Sequence, residues 1–143
     1  MTGLTELYRT AEKQNISVDC FALEAREALS VADGEGGFYI AIDPLKLESS
    51  LDEKMKLAHE LGHCCTGSFY NRYAARDLRA RHENRADKWA ILTLIPEGEL
   101  REALDSGLTE PWELAEHFEV SEELLRKAVC WYTNGSLAVE QYY

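Results

Sequence analysis

Residues Lys54 to Cys65 read KMKLAHELGHCC and contain His59-Glu60-Leu61-Gly62-His63. How this stretch folds decides how the rest of the chain is read. Just before it, Ser50-Leu51-Asp52-Glu53 has the S-x-x-E spacing of a capping box, which opens helices. Just after it, Thr66-Gly67-Ser68 offers a stop, with Gly67 able to take the left-handed cap conformation. Between them the spacing predicts a helix with Leu51, Met55, Ala58, Leu61 and Cys65 along one apolar side. On such a helix His59 and His63 stand one turn apart on the same face. Both imidazoles can then approach a single ion at about 2.0–2.1 Å. Glu60 lies about 100° further round. It is badly placed as a third ligand there, but it can reach a water on the ion's open side. That is the mechanical content of the H-E-x-x-H pattern, two ligands and a general base from one turn. The alternative is a pair of surface histidines on an amphipathic helix. The flanks oppose it, because Leu57, Ala58, Leu61, Gly62, Cys64 and Cys65 leave almost no polar face, and buried imidazoles need partners.

A catalytic zinc takes three protein ligands and keeps one position open. The third ligand must come from another part of the chain. The remaining histidines are His82 and His117. Around His82 the sequence runs RHENRADKWAILTLIP, and Glu83, Asp87, Ala90 and Leu94 share one face of the helix expected there. Glu83 is then a carboxylate on the face that meets the core, which is unfavourable unless it binds something charged. His82 is the rival ligand. It points about 100° away from Glu83 on the same helix, so the two cannot face one ion equally well. Asp87, one turn beyond Glu83, can accept the second ring N–H of a ligand histidine and hold its tautomer.

Outward from these motifs, the expected order is strands first and helices afterwards, an α+β arrangement. Leu4 to Gln14 reads as a helix with Leu4, Leu7, Tyr8 and Ala11 in one stripe. Ile16 to Phe21, Ala28 to Ala32 and Gly37 to Ile42 read as strands, the last two joined by the Gly-rich turn DGEGG. Asp43-Pro44 ends the sheet. Tyr70 to Asp77 reads as a loop. A second long helix spans Leu78 to Leu94, stopped by Pro96. Three shorter helices follow, at Glu97 to Leu104, Trp112 to Phe118 and Ser121 to Tyr132, the last ended by Asn134-Gly135. The expected organisation is a core over residues 1–96 with a helical extension, 97–143, packed on it. No pattern assigns residues 136–143.

The chain has 143 residues, 45% of them apolar and 29% charged, an ordinary globular composition long enough for a real core. No apolar run approaches a membrane span. The N-terminal MTGLTELYRTAEKQ carries neither an apolar signal region nor a cleavage site, so a cytoplasmic location is expected. Cys20, Cys64, Cys65 and Cys130 form no C-x-x-C pair and are read as free thiols packing as small apolar groups. The net charge of −11 argues against direct nucleic-acid binding. Arg72, Arg76, Arg79, Arg81 and Arg85 run against the overall sign, either neutralising nearby carboxylates or facing an acidic peptide group.

The two motifs together resemble the ImmA/IrrE family of zinc-dependent peptidases. HELGH is followed by ENRADKWAILTLIP, with Glu83, Ala86, Trp89, Ala90 and Pro96 at the matching positions. The resemblance covers at least Ile16 to Pro96. It implies a zincin-like fold, with a small, mainly antiparallel sheet packed on two long helices that carry the ligands, then a short C-terminal helical bundle. It makes His59, His63 and Glu83 the ligands of one zinc ion per chain, Glu60 the base and Asp87 the acceptor behind a ligand histidine. The CCTGSFYNRY that follows His63 departs from members whose helix runs on. The resemblance also implies a protein substrate, such as the helix-turn-helix repressor of a phage or mobile element. Tyr70, Tyr73, His82 and Arg85 are candidates for steadying an oxyanion or contacting substrate, and the sheet edge at Gly37 to Ile42 for holding an extended peptide.

Two other functions compete. A non-catalytic zinc-binding domain would need a fourth ligand, and Cys64 points away from the His59/His63 face. A DNA-reading helix pair at residues 112–132 would present Glu122 and Glu123 to the phosphates, the wrong sign. A helical pair packed on the core is the simpler expectation there, with His117 as an ordinary packing or surface residue.

Overall fold

The computed structural model describes residues 2–70, 74–135 and 137. Helix α1, Leu4–Lys13, leads into strand β1, Ile16–Cys20. Strands β2, Ala28–Ala32, and β3, Phe38–Ile42, follow as a hairpin. A single 3-10 turn at Pro44–Lys46 then precedes helices α2, Ser50–Thr66, and α3, Arg76–Leu94. Helices α4, Glu97–Asp105, α5, Pro111–Phe118, and α6, Glu122–Asn134, complete the α+β architecture. No helix among the described residues is long and apolar enough to cross a membrane.

The hairpin forms where Asp33 can organise it. Its Oδ1 accepts from the backbone N–H of Glu35 at 2.7 Å and of Gly37 at 2.9 Å. Gly34 and Gly36 take the positive φ the turn demands. The strand order is β1-β3-β2. β3 pairs parallel with β1 and antiparallel with β2. The sheet is therefore mixed, not mainly antiparallel, because β1 reaches β3 through β2 and arrives in the same direction. This placement corrects a second expectation. Residues 37–42 hold the central strand and have no free edge; the edges are β1 and β2.

Asp43 does more than end the sheet. Its carboxylate accepts from the N–H of Leu23 at 3.0 Å and of Leu45 at 3.1 Å. The Leu23 hydrogen bond leads in holding its pKa below the usual carboxylate range. Beside it, the Lys46 ammonium donates to the carbonyls of Leu23, Glu24 and Arg26. Together they pin the β1–β2 connection and place Arg26.

α2 begins one residue earlier than the sequence spacing suggests. Ser49 is the N-cap, and its side chain accepts from Asp52 N–H. At the other end Gly67 adopts φ +65° and closes the helix. The apolar side also differs from expectation. Leu57, Ala58, Leu61 and Cys64 are buried, whereas Leu51 and Cys65 are exposed. The cause is packing on more than one side, since α2 touches α1, β2 and β3 as well as α3. Lys54 is buried too, and its ammonium donates to the carbonyl of Phe118 at the end of α5. The core collects Leu7 and Ala11 from α1, Ile40 and Ile42 from β3, and Ile91 and Leu94 from α3. Leu100, Leu114, Phe118 and Leu125 add the three later helices to the same cluster.

Helices α2 and α3 come together at Gly62. A Cβ on this residue would stand 2.5 Å from the carbonyl oxygen and 2.8 Å from the Cα of Ala86. Only a residue without a side chain lets the two backbones meet. A Gly62→Ala change gains about 1 kcal/mol of helix propensity and loses more, because the colliding atoms belong to backbone. We expect a net destabilisation of about 1–3 kcal/mol, measured by denaturant unfolding. Unchanged stability would show that the helices are not locked at this point.

Candidate metal centre

The close approach at Gly62 and Ala86 brings His59 and His63 on α2 opposite Glu83 and Asp87 on α3. One ligand atom each from His59, His63 and Glu83 lies within 4.8 Å of the others. His59 Nε2 is 2.5 Å from Glu83 Oε2, and His63 Nε2 is 3.3 Å from Glu83 Oε1. The opposite ring nitrogens are engaged elsewhere. His59 Nδ1 is hydrogen-bonded to Asp87 Oδ1 at 3.0 Å. His63 Nδ1–H donates to the backbone carbonyl of Ser68 at 2.5 Å. These partners assign the Nδ1 protons and turn both Nε2 atoms toward the same point.

The surrounding charges explain the protonation. Burial alone would lower the His59 pKa, but hydrogen bonds to Asp87 and Glu83 outweigh it and raise the value to about 10. His63 is likewise raised against burial, by Glu83 and the Ser68 carbonyl. Burial works to raise Glu83, yet His59, His63 and Tyr70 hold its carboxyl well below the usual range. Asp87 is lowered despite burial, through His59 and the ammonium of Lys127. Lys127 Nζ stands 3.0 Å from Asp87 Oδ2.

The cluster forms one wall of a cavity of about 240 Å³. Glu60 lies on the same wall, 8% exposed, and its Oε1 accepts from the hydroxyl of Ser30 on β2 at 2.8 Å. Leu29, Arg26, Ser68, Phe69 and Tyr70 complete the lining. A more open cavity of about 570 Å³ adjoins it, sharing Arg26, His59, Glu60 and Tyr70. The donor set is two imidazole nitrogens and a carboxylate, each ring fixed from behind, beside an open space. Those are the ligands and the open position that a catalytic zinc ion requires, so the residues fit the group.

The other candidates fall in different places. The Tyr70 hydroxyl donates to Glu83 Oε1 at 2.7 Å and lines the cavity. Tyr73 lies outside the described residues. His82 stacks on Tyr70 at 6.0 Å between ring centroids and is not on the cavity wall; its Nδ1 is buried without a partner. Arg85 is exposed and also off the wall. Neither Cys64 nor Cys65 joins the ligand cluster, and burial pushes the Cys64 thiol up to about 12. Four contributors escaped the sequence reading: Ser30, Arg26, the Ser68 carbonyl and Lys127. Only Ser68 left a local signal, since a left-handed cap at Gly67 turns the next residue back over the last helical turn.

Fold and site define a metallopeptidase-type domain of the zinc class. The family model described as the IrrE N-terminal-like domain, Peptidase_M78, matches residues 32–129, and the chain belongs to that family. The match runs beyond Pro96 through α4, α5 and most of α6. No curated protein matches the chain.

Hydrogen bonds to Asp87 and Glu83 raise the His59 pKa and favour a proton on Nε2, which must leave before that nitrogen can bind a metal. Zinc uptake at pH 7 is therefore expected to release protons, and apparent affinity to rise as pH increases toward about 10. Calorimetry in buffers of different ionisation enthalpy measures both. An affinity independent of pH between 6 and 9 contradicts the assignment.

Proposed function

We propose that this chain is a zinc-dependent endopeptidase acting on an extended polypeptide laid along the edge of β2. The observation that carries the reading is the position of Glu60. It shares a cavity wall with the three-residue donor cluster and is held there by Ser30. A closed structural zinc site has no use for a carboxylate so placed.

In this reading His59, His63 and Glu83 would hold one zinc ion, which would supply Lewis acidity toward water and the scissile carbonyl. Glu60 keeps one oxygen on the Ser30 hydroxyl and uses the other to take a proton from the attacking water. It then passes that proton to the leaving amine nitrogen. Tyr70 spends its hydroxyl on Glu83, so its role is to orient that ligand. Arg26 also lines the cavity, and its guanidinium is the better candidate to meet the carbonyl oxygen as negative charge develops. Lys46 donates to its backbone carbonyl, which anchors the main chain of this residue beside the cavity.

Among the described residues β2 pairs only with β3, and its Leu29 and Ser30 line the cavity. A substrate strand adding to its other edge would pass directly over Glu60, with main-chain hydrogen bonds supplying affinity. The family resemblance makes a helix-turn-helix repressor of a phage or mobile element the substrate to test first.

The Glu60→Gln variant is expected to keep zinc and to lose activity on such a repressor by about 10²–10⁴-fold. Metal content by elemental analysis and cleavage by gel read the two properties separately. Cleavage at the wild-type rate would remove Glu60 from the mechanism.

A further inference from the structure

α6 belongs to the part of the chain that the sequence presents as an extension, yet it sends one side chain into the metal centre. Lys127 lies 17% exposed between α6 and α3, with its ammonium 3.0 Å from Asp87 Oδ2. Asp87 is itself 14% exposed, and its other oxygen takes the His59 Nδ1 proton at 3.0 Å. A continuous path of charged hydrogen bonds thus runs from α6 through Asp87 to a zinc-binding imidazole. The second carboxylate near Lys127, Glu123, is 3.6 Å away and 80% exposed, so it is the weaker partner.

We infer that Lys127 is a positioning residue for the zinc site, fixing Asp87 so that His59 presents Nε2 to the metal. The inference rests on the ligand set proposed above. A carboxylate can swing about its last bond and offer either oxygen to a ring N–H. Clamping Oδ2 with an ammonium leaves Oδ1 as the acceptor in one orientation. It also supplies the countercharge that a largely buried carboxylate needs. Partners behind a metal ligand tune affinity by about 10–100-fold. Here that support is carried by a helix some forty residues further along the chain. Zinc binding and the seating of α6 on α3 are then linked. Each favours the other, because both require the same Asp87 geometry.

The test is zinc affinity of the full chain by competition with a chromophoric chelator. Lys127→Met is expected to weaken binding about tenfold, and Lys127→Arg to restore most of it. Glu123→Gln, at the exposed partner of the same lysine, should leave affinity unchanged. Asp87→Asn should weaken binding as well, and adding Lys127→Met to it should make little further difference, since both act through one path. A purely structural lysine would lower the unfolding temperature without moving the zinc dissociation constant. Should Lys127→Met not fold, hydrogen exchange on the wild type decides, with α6 amides expected to slow on zinc loading. Lys127→Met binding zinc within twofold of wild type overturns the inference, as do additive losses with Asp87→Asn or α6 exchange indifferent to zinc. A wild type that takes up no zinc overturns the ligand assignment itself, a separate failure.

Discussion

The structure depends on one close contact, the meeting of two helix backbones where Gly62 lies against Ala86. Helix axes separated by ordinary side chains stand 8–10 Å apart. A histidine from one and a carboxylate from the other then reach a shared point only with difficulty. Removing the side chain at the crossing draws the helices in and lets His59, His63 and Glu83 converge. Small residues follow the contact on α3, where Ala86 and Ala90 are both buried. The glycine inside the histidine motif is thus a packing device, and the chemistry on either side of it is the result.

That convergence concentrates charge in a small space. Glu60, Glu83 and Asp87 all lie within or behind one cavity wall, and each is matched by a specific donor. Ser30 serves Glu60, Tyr70 and the two imidazoles serve Glu83, and Lys127 with His59 serves Asp87. The donors come from β2, from α2 and the loop after it, and from α6, so the site draws on elements far apart in the chain. A dication suits such a collection of carboxylates, because it answers several negative charges at one point.

Much of this was legible in the residues. The histidine spacing, the Gly67 stop, the DGEGG hairpin and the limits of most helices are local patterns, and local physics sets them. Glu83 and Asp87 were legible because helical periodicity placed both on the face that meets the core. What escaped was non-local. Nothing near Ser30 indicates that its hydroxyl will meet Glu60, and nothing near Lys127 indicates Asp87; both pairings arise from how strands and helices stack. The strand order misled for a related reason. Residues 37–42 look like an edge only until β1, separated from them in sequence, is seen to pair on the far side. The apolar stripe of α2 was shifted because a helix packed on several sides buries residues that a single-face pattern assigns to solvent.

The Gly67 cap carries a consequence for anyone who would move this centre into another scaffold. The backbone reversal it permits delivers the Ser68 carbonyl to His63 Nδ1, so the ring's tautomer is written by the way its helix terminates. Grafting the five-residue signature onto a longer, uninterrupted helix would copy the letters and lose that instruction. The smallest transferable unit is the helix together with its ending.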